Sequence, residues 1–260
     1  MNIDGSKGIF IGGASGMCRA TATKFHAKGG SVSILDLPSS DGAAVAKELG
    51  GTFFPCNVTD YAAADQAIAD ATEALGGLHF VLNTAGGGNR AVGGMPQRTL
   101  MRDGSRHSTD TFAKVLELNL VGSFNVNTAA AQHMANNEPN EAGERGVMIN
   151  TASIAAFEGQ IGQVAYTAAK GGIAAMTLTM ARDLGALGIR CMTIAPSLFA
   201  TGLTAATPAD SAVNMTKDAA FPKRMGVPDE FATMAIAIVE SPMMNGSTLR
   251  VDGGQRFAPK

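Results

Sequence analysis

The sequence predicts an α/β fold: a single doubly wound domain of Rossmann type, with a parallel sheet covered by helices on both faces. Two observations carry that prediction. Short apolar, β-branched runs alternate with longer alanine-rich helical windows, and a glycine turn sits between the first run and the first window. Parallel strands need crossover connections, and helices are the usual crossover. The candidate strands are residues 8–11, 31–35, 52–55, 79–83, 147–151, 190–195 and 247–251. Helical windows lie near 18–28, 42–49, 61–75, 111–134 and 164–187. No internal repeat, low-complexity tract or linker interrupts the pattern, so residues 1–260 read as one domain.

Composition narrows the function. Hydrophobic residues make up 45% and charged residues 16%, a balance that suits a buried core and argues against disorder. A formal net charge of −2 gives no electrostatic reason to expect nucleic acid or an anionic membrane as partner. No apolar run is long enough to span a bilayer, and the opening residues lack the build of a signal or transit peptide. Cys18, Cys56 and Cys191 lie far apart with no CxxC or Cys/His clustering, so they read as reduced core residues, with no metal expected and a cytoplasmic setting. Two long segments, 86–108 and 197–223, fit neither strand nor helix well. Both follow candidate strands, on the side where open α/β sheets bind ligands, and are expected to be substrate loops.

The first strand runs into Gly12-Gly13-Ala14-Ser15-Gly16-Met17-Cys18 and then a helix. Glycines there let backbone N–H groups approach a pyrophosphate, whose charge the helix N-terminus favours. Asp36 ends the second strand, where a carboxylate can accept both ribose hydroxyls and repel a 2′-phosphate. The expected cofactor is therefore NAD rather than NADP. Asn57-Val58 follows the third strand and can meet an adenine edge. Asn83-Thr84-Ala85-Gly86 follows the fourth and brings small residues toward the ribose and nicotinamide. Taken singly, each is also ordinary turn chemistry.

Tyr166 and Lys170 stand four apart in a helical window, so they share a face. A free tyrosine titrates at about 10, and a neighbouring ammonium together with a positive nicotinamide favours the phenolate. The chain has two tyrosines, and Ser153 lies just after the fifth strand, thirteen positions before Tyr166. That strand and the following helix bring hydroxyl and phenol to one edge, where Ser153 can donate to a substrate oxygen. Asn119 lies mid-helix, where asparagine has no propensity advantage. It reads either as a local helix distortion holding a water beside Lys170 or as a satisfied core amide.

Read together, these segments resemble the short-chain dehydrogenase/reductase family from residue 8 to 254, and within it the type-2 3-hydroxyacyl-CoA dehydrogenases, also called 17β-hydroxysteroid dehydrogenase type 10. The segments carrying the narrower resemblance include Leu35-Asp36-Leu37-Pro38, Asn137-Glu138-Pro139, Ile149-Asn150-Thr151-Ala152-Ser153, Ala156-Phe157-Glu158-Gly159-Gln160 and Thr193-Ile194-Ala195-Pro196. The resemblance implies a seven-stranded parallel sheet and a homotetramer. It implies Tyr166 as acid/base, Lys170 as its electrostatic partner and ribose ligand, Ser153 as substrate-oxygen donor and Asn119 as proton-relay residue. It implies NAD contacts at Gly12, Ser15, Gly16, Met17, Asp36, Asn57, Val58, Asn83, Thr84, Ala85, Gly86, Tyr166, Lys170, Pro196, Phe199 and Thr201. Gln160 and Gln163 would line the substrate pocket with Ser153 and Tyr166, and residues 95–108 correspond to an insertion.

Ile11, Cys18, Asn57 and Ser197 depart from the family's usual Thr, Gly, Asp and Gly. The expected consequence is weaker cofactor binding and a stiffer loop entry, with every catalytic group kept. The function expected is NAD-dependent interconversion of a secondary alcohol and a ketone, as a soluble lipid-metabolic enzyme acting on a 3-hydroxyacyl-CoA. A hydroxysteroid or other small alcohol is the alternative substrate; a nucleotide-binding scaffold or sensor without turnover is the alternative of another class. Arg98, Arg102 and Arg106 recur every four residues, so a helix there would form one stripe able to meet CoA phosphates.

Overall fold

The computed structural model describes residues 1–201, 204 and 207–258. Seven strands form one parallel sheet: β1 Lys7–Ile11, β2 Ser31–Asp36, β3 Thr52–Pro55, β4 Phe80–Asn83, β5 Gly146–Thr151, β6 Ile189–Pro196 and β7 Thr248–Val251. Their spatial order is β3-β2-β1-β4-β5-β6-β7. The order reverses between β1 and β4, and that switch opens the crevice in which such sheets bind ligands.

Residues alternate across the sheet, so successive side chains enter opposite cores. On one face Phe10, Ile34, Leu82, Ile149 and Ile194 pack with α1 (Gly16–Ala27) and α8 (Pro228–Glu240). Phe10, Phe25 and Phe80 meet there with ring centroids 5.3 to 5.6 Å apart. Each fully buried ring contributes roughly 2–3 kcal/mol through area removed from water. On the other face Ile9, Ile11, Leu35, Val81 and Met148 pack with α3 (Tyr61–Leu75), α5 (Gly122–Met134) and part of α6 (Val164–Gly185). Helix α2 (Gly42–Glu48) covers the β2–β3 end.

All seven expected strands are present, with ends displaced by one residue or none. The expected helix over 111–134 is three pieces: α4 (Thr109–Leu116), a π-helical turn (Glu117–Val121) and α5. Two helices escaped the sequence reading. One is α8, although Pro228 at its first turn followed by Asp229 and Glu230 is a strong start signal. The other is α7 (Ala209–Thr216), inside the segment 197–223. Residues 202, 203, 205 and 206 of that segment lie outside the described residues.

Segment 86–108 differs from a helical insertion. It holds a 3₁₀ turn (Asn89–Val92) and then a small hairpin, with an antiparallel bridge between Leu100 and Arg106 and backbone bonds Met101 N–H to Ser105 O and His107 N–H to Thr99 O. Asp103 accepts from both the N–H and the hydroxyl of Ser105 at the tip, and this local turn chemistry competes with helix. The arginine stripe that a helix would have made does not form, which leaves the reading of these residues as a solvated charged face. Arg98 and Arg102 line one hollow, with Ile161 and Gly162 opposite, whereas Arg106 lines another with His107, Phe112 and Val164.

Candidate active site

The glycine turn is built for close approach. Gly12 has φ 77°, and a Cβ there would lie 2.8 Å from the Thr84 hydroxyl and 3.1 Å from Ala85 N. Gly16 has φ 56° and opens α1. Only glycine adopts such angles without strain and leaves the backbone bare. Ser15 is the exposed N-cap of α1, and its hydroxyl makes no capping bond among the described residues, so the first turn presents its N–H groups outward. Asp36 ties the turn from below: its carboxylate accepts from Ala14 N–H at 2.9 Å and from Leu37 N–H at 2.7 Å. Each oxygen keeps lone-pair capacity toward the cleft.

These groups line a cleft of about 620 Å³ that also takes in Met17, Asn57, Val58, Thr84, Ala85, Gly86 and Thr201. Ile11, Leu37, Cys56, Thr59, Ala91, Val92, Lys114, Glu117 and Leu118 complete the lining and were not expected as contacts. The π-helical turn brings Glu117 and Leu118 to the rim, and no local pattern announces that. A dinucleotide fits the chemistry of the walls: bare glycine backbone at a helix N-terminus, a carboxylate at the end of β2, and small residues after β4.

Five expected cofactor contacts, Asn83, Tyr166, Lys170, Pro196 and Phe199, are not among the residues lining the cleft. Asn83 is buried; its amide donates to the Ser123 hydroxyl (2.9 Å) and its carbonyl accepts from Ala85 N–H (3.0 Å), so it shapes the turn instead. Pro196 is buried at the end of β6. The Phe199 ring lies in the core, edge-on to Phe231 at 6.3 Å and tight against Gly226, which leaves only its backbone near the rim. Asn57 turns its carbonyl back to the Thr59 N–H (3.1 Å) and hydroxyl (2.9 Å), ordinary turn chemistry that leaves its NH₂ for an adenine. Of the departures, Ile11 points into the core, Cys18 is fully buried with its thiol toward Ile11 O (3.5 Å), and Ser197 donates its N–H to Val251 O. Burial pushes the Cys18 thiol far above the usual range, which makes it unreactive.

The second half of the site gathers where β5 meets α6. Ser153 follows β5 and its hydroxyl accepts from Ala155 N–H at 3.1 Å, capping a 3₁₀ turn (Ile154–Ala156). Tyr166 and Lys170 share one face of α6, with the Lys170 Nζ 5.7 Å from the centre of the Tyr166 ring. Lys170 is 3% exposed and donates to Thr151 O at 2.8 Å. Burial lowers its pKa to about 8, which brings amine and ammonium into the working pH range.

In the free protein Tyr166 is held toward the neutral phenol. Burial pushes its phenol upward, and only the Ser153 hydroxyl hydrogen bond opposes this. Of the two charges expected to favour the phenolate, a bound nicotinamide would supply the second.

Asn119 joins the two halves. It is fully buried in the π-helical turn, so the expected distortion is present. Its NH₂ donates to Gly87 O (2.8 Å) and Val115 O (2.9 Å), and its carbonyl accepts from Gly87 N–H (3.0 Å). Backbone thus satisfies most of the amide, as the second reading had it, leaving one lone pair on Oδ1. A Cβ on Gly86 would lie 2.4 Å from that Oδ1 and 3.2 Å from the Lys170 Nζ, so the glycine that lines the cleft abuts both polar groups. Gln160 and Gln163 lie on the loop between Ser153 and Tyr166; the Gln163 NH₂ reaches the Gln160 carbonyl at 3.4 Å, and the Gln163 carbonyl is buried without a partner among the described residues.

Comparison with known proteins agrees with this geometry. A family model described as Enoyl-(Acyl carrier protein) reductase matches residues 12–256. The chain is 43% identical over 260 residues to 3-hydroxyacyl-CoA dehydrogenase type-2 of Homo sapiens, covering 99% of this chain and 98% of the relative. A crystal structure of 3-hydroxyacyl-CoA dehydrogenase type-2 from Mycobacterium avium superposes with TM-score 0.91 at 41% identity, covering 98% of both chains. A short-chain type dehydrogenase/reductase from Mycobacterium ulcerans superposes with TM-score 0.85 at 25% identity, covering 100% of this chain and 94% of the other.

Proposed function

Because this chain belongs to the short-chain dehydrogenase/reductase family of oxidoreductases, we propose that it interconverts a secondary alcohol and a ketone with NAD(H), and that its substrate is a 3-hydroxyacyl-CoA. The observation that carries the reading is that the Asn119 amide and the Lys170 amine abut Gly86 in the wall of the cleft that Asp36 also lines, while Tyr166 stands beside Lys170 and within reach of the Ser153 hydroxyl.

The mechanism follows from what each group can donate or accept. In the oxidising direction Ser153 donates to the alcohol oxygen, and the Tyr166 phenolate takes its proton. Lys170, anchored on Thr151 O and titrating at about 8, holds positive charge beside the phenolate and passes the proton on. The free Oδ1 lone pair of Asn119 supports a water on that route. A nicotinamide bound in the cleft would supply the hydride acceptor for the carbinol carbon. Gly12, Ser15, Gly16 and Met17 would hold the pyrophosphate, Asp36 the adenosine ribose, Asn57 and Val58 the adenine, and Thr84, Ala85 and Gly86 the nicotinamide side.

The substrate class rests on the named relatives and on the walls beyond Tyr166. Met95 and Leu100 in the segment before α4 and Phe157 and Ile161 in the loop after Ser153 expose apolar surface, and Pro96, Met101 and Ile161 line one hollow with Arg98 and Arg102. An acyl chain with an anionic headgroup matches that mixture, and would put the reaction in lipid metabolism. A homotetramer in a reducing, cytoplasmic setting completes the reading; among the described residues no helix is long and apolar enough to cross a membrane.

Initial rates of NADH oxidation test the substrate class. Acetoacetyl-CoA is expected to react faster than a steroid ketone or a sugar ketone. Activity confined to the sugar pair would overturn it.

A further inference from the structure

The loop 157–163 joins the Ser153 turn to the Tyr166 helix, so its placement bears on how a substrate meets those two residues. Within the loop itself little holds it. Phe157 and Glu158 N–H both donate to Ile154 O, Gln163 N–H donates to Gln160 O, and Gly159 packs closely on Thr167.

Its firmest attachment is to the segment that follows β7. The Glu158 carboxylate accepts from the Arg250 guanidinium at 2.7 Å and from Phe257 N–H at 3.2 Å, and forms an ion pair with Arg256 Nε at 3.2 Å. Arg250 is itself fixed by Asp252 (2.6 Å) and Gln255 O (3.0 Å), and its guanidinium lies 5.5 Å from the centre of the Phe157 ring. The same segment reaches the other side of the site. Gln255, buried, donates its NH₂ to Met215 O of α7 at 2.8 Å, and Phe221 N–H donates to Gly253 O at 3.0 Å. One short stretch of chain therefore grips both the loop beside Ser153 and Tyr166 and the segment that follows β6. Two charged partners and a backbone donor on one carboxylate, half shielded from water, exceed what an exposed surface pair provides.

We propose that Glu158 is a positioning residue for the substrate, holding loop 157–163 through Arg250 so that the pocket between Ser153 and Tyr166 is preformed. The assignment rests on reading those two residues as the alcohol site. It makes no demand on the cofactor cleft, from whose lining Glu158 is absent.

The test compares Glu158→Gln and Arg250→Gln, singly and together, with the unmodified protein. Acetoacetyl-CoA KM is expected to rise about tenfold in each single variant and no further in the double, because either change opens the same clasp. The kcat and the NADH dissociation constant are expected to stay within about twofold. Hydrogen exchange at the Phe157, Glu158 and Gln163 amides, followed without substrate, is expected to accelerate in both single variants. Unchanged KM, or unchanged exchange at those amides, would overturn the assignment. Exchange is read without turnover, so it tests the clasp even if acetoacetyl-CoA proves not to be the substrate. Conversely, a normal Tyr166 dependence with unchanged exchange sinks the clasp alone.

Discussion

Replacing Tyr166 with phenylalanine is expected to lower kcat for acetoacetyl-CoA reduction about 1,000-fold, in the middle of the range for loss of a general acid–base group. The ring and its packing on α6 remain, so folding is kept. Cofactor binding is expected to change by less than about threefold, because the hydroxyl contributes little to ground-state affinity compared with the proton transfer it performs. What is lost is the phenol beside Ser153 that would give and take the proton once a positive charge stands next to it, with Lys170 as its neighbour. The other tyrosine is the internal control: Tyr61 is exposed and bonds Glu117 at 3.3 Å. Tyr61→Phe is expected to leave kcat within about twofold. Steady-state kinetics on both variants, with NADH binding followed by fluorescence, checks the pair.

Replacing Asp36 with serine is expected to lower kcat/KM for NADH about 100-fold while changing NADPH turnover little, so that cofactor discrimination nearly disappears. The magnitude corresponds to about 2.7 kcal/mol, the range of one or two charge-assisted hydrogen bonds in a partly shielded site. Two effects add. The ribose hydroxyls lose a charged acceptor, and the Ala14 N–H, now bonded to Asp36 at 2.9 Å, loses the bond that tethers the glycine turn to β2. For NADPH the same substitution removes a like-charge repulsion, which offsets the structural loss. Initial rates with both cofactors at one ketone concentration measure the ratio. A ratio unchanged from the unmodified protein would place cofactor selection elsewhere.

How far the sequence carried is visible in particular residues. The strands were legible because parallel strands buried on both faces read as near-continuous apolar runs. Asp36 and the glycine turn were legible because spacing along a strand–turn–helix unit fixes their position. Asn83, Pro196 and Phe199 were not, since adjacency to a strand end says nothing about which way a side chain turns. Asn83 turned inward to Ser123, and the Phe199 ring went to Phe231. The arginines at 98, 102 and 106 failed for a different reason. Helical spacing was present without helical propensity, and the Asp103–Ser105 turn closed a hairpin that separates them. Helix α8 carries a start signal in Pro228, Asp229 and Glu230 but has no side-chain N-cap residue before them, since Val227 stands there. The Glu158 clasp could not be read at all, since Arg250 lies 92 positions away in the chain.

The tyrosine's ionisation is the sharpest point of contact between structure and mechanism. In the free protein, burial favours the neutral phenol, so its pKa stands above the ordinary value. Phenolate is then scarce at neutral pH until a positive charge arrives beside it. The chain contains no tryptophan and two tyrosines, so in Tyr61→Phe the near-ultraviolet phenolate signal belongs to Tyr166 alone. Spectrophotometric pH titration of that variant, with and without saturating NAD⁺, is the direct measurement. The account predicts a midpoint above about 10 in the free protein and a downward shift of at least about one unit with the oxidised cofactor. A midpoint that does not move when NAD⁺ binds would contradict it.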